Sequence, residues 1–69
     1  MKISARNSIK GKVIKLIKGP VSTEVTLQIA KGVEIVSSVT SASVKRLGIK
    51  KGKRVYAVIK ASSVMIATD

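Results

Sequence analysis

The chain has no cysteine and no histidine, and its only acidic side chains are Glu24, Glu34 and Asp69. Disulfides are therefore excluded, and a transition-metal cation would find none of its preferred ligands. Catalysis also lacks its common bases and nucleophiles, and no two acids are placed to share a proton. We expect a protein that is not an enzyme and that holds no metal cation.

Aromatic residues and long apolar runs are equally scarce. Tyr56 is the one aromatic residue, and no apolar run approaches the ~18 residues of a membrane span. Residues 1–7 lack the continuous apolar stretch of a signal peptide. We expect a cytoplasmic protein with no membrane partner.

The hydrophobic residues that are present amount to 45% of a chain of 69 residues. Most are valine, isoleucine, leucine and alanine, and the β-branched residues among them favour strands. A chain this short hides only roughly 60% of the surface of its unfolded form, so its core is marginal without support. With disulfides and metals excluded, self-association of a single domain, residues 1–69, is the support that remains.

A formal charge of +11 comes from 14 lysines and arginines against three acids. Such a surface attracts anions, and the charge alone leaves nucleic acid, an anionic membrane or small anions as partners. No amphipathic basic helix favours the membrane. Single-strand binders stack bases on aromatic side chains, of which this chain offers only Tyr56. A basic OB-fold nucleic-acid-binding protein is the alternative function.

Alternation of apolar and polar residues predicts the fold. Residues 21–29 place Val21, Thr23, Val25, Leu27 and Ile29 on one face, between the turns Gly19-Pro20 and Lys31-Gly32. Further strands are predicted at 8–18, 33–40, 54–60 and 64–67, with a helix from Ser41 to Gly48 capped by Ser41 or Ser43. The expected fold is all-β: a five-stranded OB-fold-like Greek-key barrel with one short helix between strands 3 and 4.

Two short segments near the chain ends are rich in hydrogen-bond donors and free of acids. They are Ser4-Ala5-Arg6-Asn7 and Lys60-Ala61-Ser62-Ser63. Hydroxyls, amides, cations and backbone N–H groups are what a tetrahedral dianion requires. On composition alone, however, polar strand ends are the simpler interpretation.

The same two segments carry a resemblance to a known family. Ile3-Ser4-Ala5-Arg6-Asn7 followed by Gly11, and the closing stretch from Val58 to Ala67, resemble the end motifs of the molbindins, or Mop proteins, which have a TOBE/OB-like domain. The resemblance runs from Lys2 to Ala67. It implies a five-stranded barrel that assembles into a homohexamer, as a trimer of dimers. It also implies storage or buffering of molybdate or tungstate at subunit interfaces, without an organic cofactor.

The resemblance also implies roles for individual residues. Arg6 and Lys60 would balance the charge of the oxyanion, whereas Ser4, Ser62 and backbone N–H groups would donate hydrogen bonds. Gly11 is expected to serve packing. The other lysines are expected to be solvated surface. The implied oxyanion site comprises Ser4, Ala5, Arg6, Asn7, Thr40, Lys60, Ala61 and Ser62, with a second site near a threefold axis at Gly19 and Val21.

Overall fold

Four antiparallel strands and one short helix make up the fold, which a computed structural model describes for residues 2–69. The elements, in chain order, are β1 (Asn7–Lys18), β2 (Ser22–Ala30), β3 (Val33–Thr40), α1 (Ser41–Leu47), β4 (Arg54–Ile59) and a 3₁₀ turn (Ala61–Ser63). The strands form one sheet in the order β3-β2-β1-β4. The predicted β-sheet with a helix between its third and fourth strands is confirmed.

Short connections set the register of the sheet. β2 and β3 are joined through Lys31 and Gly32, and Gly32 has a φ of 75°, which glycine adopts without steric cost. Between α1 and β4, the Gly52 N–H donates to the Val13 carbonyl at 2.8 Å. The Val13 N–H in turn donates to the Lys53 carbonyl at 2.9 Å. These bonds attach the turn at residues 50–53 to β1. They do so at the position where the pairing of β1 with β2 shifts register, between Val13 and Lys15.

The core is small and follows the alternation of β2. Val13, Val25, Leu27, Val44 and Ala57 are buried. Thr23 is buried on the same face of β2, and Ile29 is half-buried. Val21, predicted to continue this face, is 74% exposed because it lies in the turn before β2 rather than in the strand.

Packing around Gly11 agrees with the role expected of it. A Cβ at this position would lie 2.9 Å from Ile29 Cδ1 and 3.1 Å from the Gln28 carbonyl oxygen. Gly11 therefore lets β1 approach the end of β2 closely, which is a packing role.

The helix begins earlier than predicted, and both predicted caps, Ser41 and Ser43, are wrong. Its N-cap is Thr40, whose Oγ1 accepts from the Ser43 N–H at 3.1 Å. Ser41 and Ser43 both lie inside the helix, so neither is its cap. The Ser41 hydroxyl donates to the Gly19 carbonyl at 2.6 Å. At the other end, Gly48 has a φ of 65°, and the Gly48 and Ile49 N–H groups donate to the Lys45 and Val44 carbonyls. The predicted glycine C-cap is confirmed.

The predicted fifth strand, residues 64–67, does not form in the single chain, and the sheet is not closed into a barrel. After β4 the 3₁₀ turn redirects the chain, and the apolar side chains that follow lie in solvent. Met65 is 93% exposed and Ile66 is 86% exposed. Because β3 and β4 are both edge strands, the single chain leaves two sheet edges open.

The chain exposes more surface than a monomeric protein of its mass normally does. Its accessible surface is 5696 Å², whereas a folded monomer of 7.3 kDa exposes about 4,200 Å². Its radius of gyration is 12.6 Å, compared with about 11 Å for a compact chain of this length. Within residues 2–69, no helix has the length and apolar character needed to cross a membrane.

Candidate functional site

The two donor-rich segments lie at the same end of the sheet. β1 starts at Asn7 and β4 ends at Ile59, and these two residues face each other in the antiparallel register. The Asn7 side-chain amide also donates to the Ile59 carbonyl at 3.3 Å. Arg6 and Lys60 are the next residues outward on the two chains. We call this group of seven residues the end cluster: Ser4, Ala5, Arg6, Asn7, Lys60, Ala61 and Ser62.

A 3₁₀ turn shapes the second half of the end cluster. The Ser63 N–H donates to the Lys60 carbonyl at 2.8 Å, and the Val64 N–H donates to the Ala61 carbonyl at 3.3 Å. The first N–H groups of a helical turn have no partner within it. The N–H groups of Ala61 and Ser62 are therefore not used by the bonds of this turn.

The end cluster is positively charged and mostly solvent-exposed. Arg6, Lys60 and Ser62 are exposed, and Asn7 is half-buried. Both glutamates are on strands that do not reach this corner: Glu24 faces Ile17 and Ser38, and Glu34 faces Gln28. In the part of the chain that is described, no three His, Cys, Asp or Glu side chains group so as to hold a metal ion. The cluster therefore combines positive charge with hydrogen-bond donors, and neither glutamate lies beside it.

Thr40 is not part of the end cluster within one chain. It faces Ser22 at the start of β2, and the next residue of β2, Thr23, faces Lys18 at the far end of β1. Thr40 therefore lies beside the opposite end of β1. Its hydroxyl is already engaged as the helix cap, since Thr40 Oγ1 also donates to Ser43 Oγ at 2.8 Å.

Gly19 and Val21 lie near Thr40 and are joined through Ser41. The Ser41 N–H donates to the Val21 carbonyl at 2.8 Å, and the Ser41 hydroxyl donates to the Gly19 carbonyl. Thr23 Oγ1 lies 2.7 Å from Ser41 Oγ. We call Gly19, Val21, Thr23, Thr40 and Ser41 the helix-start cluster. Ser41 and Thr23 were not predicted as polar partners, since alternation shows which face a hydroxyl occupies but not what it bonds.

The chain matches a known domain family over most of its length. The TOBE domain family matches residues 3–66, which include the whole end cluster. The chain belongs to this family. The resemblance drawn from the two end motifs is thereby confirmed, since the matched residues include the first motif and all of the second except Ala67.

Named relatives narrow the family further. This chain is 52% identical over 66 residues to molybdenum-pterin-binding protein 1 of Clostridium pasteurianum. The aligned residues cover 96% of this chain and 97% of the relative. The chain superposes on MopII of the same organism with a TM-score of 0.91 and 49% identity, covering 97% and 100% of the two chains. The cytoplasmic molybdate-binding protein ModG, solved with molybdate bound, matches with a TM-score of 0.88 and 46% identity, covering 94% of this chain and 46% of ModG.

Proposed function

We propose that this protein binds molybdate or tungstate reversibly, with the end cluster as the core of the site. The observation that carries this proposal is the register of Asn7 against Ile59, which brings two acid-free, donor-rich segments to one corner of the sheet. ModG, a relative over 94% of this chain, binds molybdate. No chemical step is needed: binding exchanges the water around the anion for fixed donors.

Each part of the end cluster has a distinct role in this proposal. Arg6 and Lys60 balance the two negative charges. The hydroxyls of Ser4 and Ser62 and the N–H groups of Ala61 and Ser62 donate directed hydrogen bonds, which are stronger to an ionised acceptor than to a neutral one. Sulfate has the same charge and shape, so selection against it must come from pocket size.

A second subunit must complete the site. In the single chain, Arg6 and Lys60 are exposed, and charge interactions in water are weak and screened by salt. A neighbouring subunit would exclude water and add donors. Because Thr40 lies at the opposite end of β1, it can join the site only from a neighbouring subunit.

The excess surface supports this assembly. The chain exposes 5696 Å², about 1,500 Å² more than a folded monomer of its mass. A stable interface covers about 800 Å² on each partner, so the excess is enough for more than one interface. We infer a homo-oligomer, specifically a hexamer built as a trimer of dimers, in which residues 1–69 form one domain.

The fifth strand would form within this assembly. An apolar groove of about 340 Å³, lined by Val25, Leu27, Val39, Ile49 and Val55 among others, lies open on the sheet. Val64, Met65 and Ile66 are exposed apolar side chains in the segment after the 3₁₀ turn, and Met65 and Ile66 are the most exposed large hydrophobic residues of the described chain. We infer that residues 64–67 of a neighbouring subunit pair with an open sheet edge and close the five-stranded barrel.

Gly19 and Val21 can serve a second oxyanion site only through their N–H groups, because a carbonyl oxygen accepts hydrogen bonds and cannot donate one to an anion. The protein as a whole would act in the cytoplasm as a store or buffer of the oxyanion, as a binder rather than an enzyme.

Nucleic acid is the less favoured ligand. Tyr56 is the one aromatic residue of the chain, and the Lys10 Nζ lies 5.9 Å from the centroid of its ring. A single ring provides a stacking surface for one base, whereas single-strand binders stack successive bases on several aromatic side chains.

Calorimetry on the purified protein tests the proposal. Molybdate and tungstate should bind with measurable heat at micromolar protein and low salt, and sulfate should bind far more weakly. Light scattering on the same samples should report an oligomer. Absence of heat with both metal oxyanions would refute the function, and a monomer would refute the interface site.

A further inference from the structure

The outer face of β1, opposite to the side chains that this strand buries, carries three lysines. Lys10 and Lys12 lie there by alternation, whereas continued alternation would turn Lys15 toward the core. The pairing of β1 with β2 shifts register just before Lys15, so that Lys15 pairs with Thr26. Thr26 lies two residues from Gln28, the partner of Lys12, and therefore on the same face of β2. This bulge returns Lys15 to the outer face, where all three lysines are exposed.

β4 adds an arginine to this face of the sheet. Lys12 lies directly opposite Arg54 in the antiparallel register, and both side chains are exposed. Directly opposite residues have Cβ atoms about 4.5–5.5 Å apart, and like charges in such a pair are destabilising. One pair further along, Lys10 lies opposite Tyr56, with its Nζ 5.9 Å from the centroid of the ring. We call Lys10, Lys12, Lys15 and Arg54 the basic face.

The direct neighbours of the basic face do not offset its charge. In the described sheet, no cross-strand partner of its four cations is an acid. The glutamates on this side of the sheet are Glu24, which is diagonal to Lys15, and Glu34, on the far side of β2. Because β1 is a central strand, its lysines do not protect a sheet edge from pairing with another chain. A like-charge pair that lowers stability, with neither an acidic partner nor an edge to protect, indicates a surface that binds anions.

The basic face is a row along the sheet, which fits an extended partner. Lys10 and Lys12 are two residues apart, and side chains on one face of a strand repeat about every 6.6 Å. An extended peptide with an acidic residue at every second position presents its carboxylates at the same interval. Arg54 offers a planar guanidinium that binds a carboxylate through two parallel N–H bonds. Tyr56, beside it on the same face, adds an aromatic contact of the kind enriched at protein interfaces.

We propose that the basic face is a docking surface for an acidic, extended polypeptide segment of a partner protein. The complementary charge and the matching interval of side chains select such a segment. Nucleic acid also repeats its charge, but its successive bases stack on several aromatic rings, and this chain offers only Tyr56. Subunits that pair at sheet edges leave the outer face of a central strand uncovered. No residue of the basic face belongs to the end cluster, so the proposal does not depend on oxyanion binding.

Fluorescence anisotropy of the intact protein with labelled peptides tests this proposal at low salt. The probe is a synthetic peptide in which glutamate alternates with serine, and the same peptide with glutamine in place of glutamate is the neutral comparison. Only the acidic peptide should bind, and its affinity should fall as salt is added. Lys12→Gln and Arg54→Gln should each weaken its binding about threefold, because each removes one exposed ion pair.

Lys45→Gln is the matched control for those two variants. It also removes one exposed lysine, but from α1. The helix packs on the core face of the sheet through the buried Val44. The affinity of this variant for the acidic peptide should therefore equal that of the unchanged protein.

Thermal unfolding without peptide gives a second measure of the basic face. Lys12→Gln and Arg54→Gln should each raise the melting temperature by about 2 °C at low salt, because one member of the like-charge pair is removed. The increase should disappear at high salt, which screens exposed charges. A variant that binds the peptide less well but unfolds at a higher temperature has lost a binding contact and not its fold.

The proposal fails if the acidic peptide does not bind, or if Lys45→Gln weakens binding as much as Lys12→Gln does. It also fails if oligothymidine of equal charge binds more tightly than the peptide and is weakened by Lys12→Gln, since the face would then serve nucleic acid. Titration with molybdate separates this surface from the oxyanion site. Molybdate affinity should stay unchanged in Lys12→Gln and Arg54→Gln, and an equal loss of molybdate and peptide affinity would overturn the assignment of a separate site.

Discussion

The two ends of β1 carry polar groups that are used in different ways. At the helix-start cluster, the Ser41 N–H and hydroxyl, the Gly19 and Val21 carbonyls and the Thr40 hydroxyl are all bonded to one another or to the helix. At the end cluster, the carbonyls of Lys60 and Ala61 accept within the 3₁₀ turn. Among the described side chains of this cluster, only the Asn7 amide makes a bond within the chain, to the Ile59 carbonyl. Polar groups that bond each other stabilise the fold, whereas donors without internal partners are available to a ligand. The helix-start cluster should therefore govern stability, and the end cluster should govern binding.

Of the substitutions that test this comparison, Ser41→Ala should have the largest effect, a loss of stability. The change removes the 2.6 Å bond to the Gly19 carbonyl and the partner of the buried Thr23 hydroxyl. Leaving buried polar groups unsatisfied costs about 1–3 kcal/mol each, so we expect roughly 3 kcal/mol less unfolding free energy. Urea denaturation at fixed protein concentration measures this change in unfolding free energy. Ser43→Ala is a milder control, and equal losses in the two variants would contradict the assignment of Ser41 as the link.

Arg6→Ala and Lys60→Ala should have the next largest effect, on binding instead of stability. Each removes one cation from the end cluster, and a hydrogen bond to a charged group contributes about 1.5–3 kcal/mol. We expect molybdate affinity to fall at least tenfold in each variant, as measured by calorimetry, with little change in melting temperature.

Lys51→Ala is the control for those two variants. Lys53 would be a poor control, because its Nζ donates to the Leu47 carbonyl at 2.8 Å and so caps the end of α1. An unchanged molybdate affinity in both Arg6→Ala and Lys60→Ala would remove the end cluster from the site.

Thr40→Ala should show whether Thr40 both caps the helix and contacts the oxyanion. Loss of the N-cap should cost about 1 kcal/mol of stability, whereas Thr40→Ser keeps the hydroxyl and should restore it. If Thr40 also reaches the oxyanion from a neighbouring subunit, Thr40→Ala will weaken molybdate binding as well. A stability loss with unchanged affinity would leave Thr40 as a cap alone.

Asn7→Ala should have the smallest effect. The 3.3 Å bond from its amide to the Ile59 carbonyl is long, and its loss should cost at most about 0.5 kcal/mol of stability. Because it holds β1 against β4 beside Arg6 and Lys60, molybdate affinity should still fall about threefold. Asn7→Gln is the comparison that retains an amide, and a larger loss of stability than of affinity would contradict a positioning role.

Local patterns predicted much of this fold. The alternation over residues 21–29 identified the buried face of β2, and Gly48 was correctly predicted to end the helix. Such features depend on residues close together in the chain. The prediction of the N-cap failed where a distant residue intervened: Thr40, not Ser41 or Ser43, is the cap, because its pairing with Ser22 keeps Thr40 extended at the end of β3.

The sequence by itself determined the chemistry of the protein. It predicts a surface that attracts anions, donor-rich segments without acids, and a core too small to be more than marginally stable in a single chain. Only the tertiary structure decided where those donors meet. Antiparallel pairing of β1 with β4 brings Asn7 and Ile59 together across 51 intervening residues, and the same pairing geometry leaves Thr40 at the far end of β1. Composition is a property of each residue, whereas proximity depends on the register of the whole sheet.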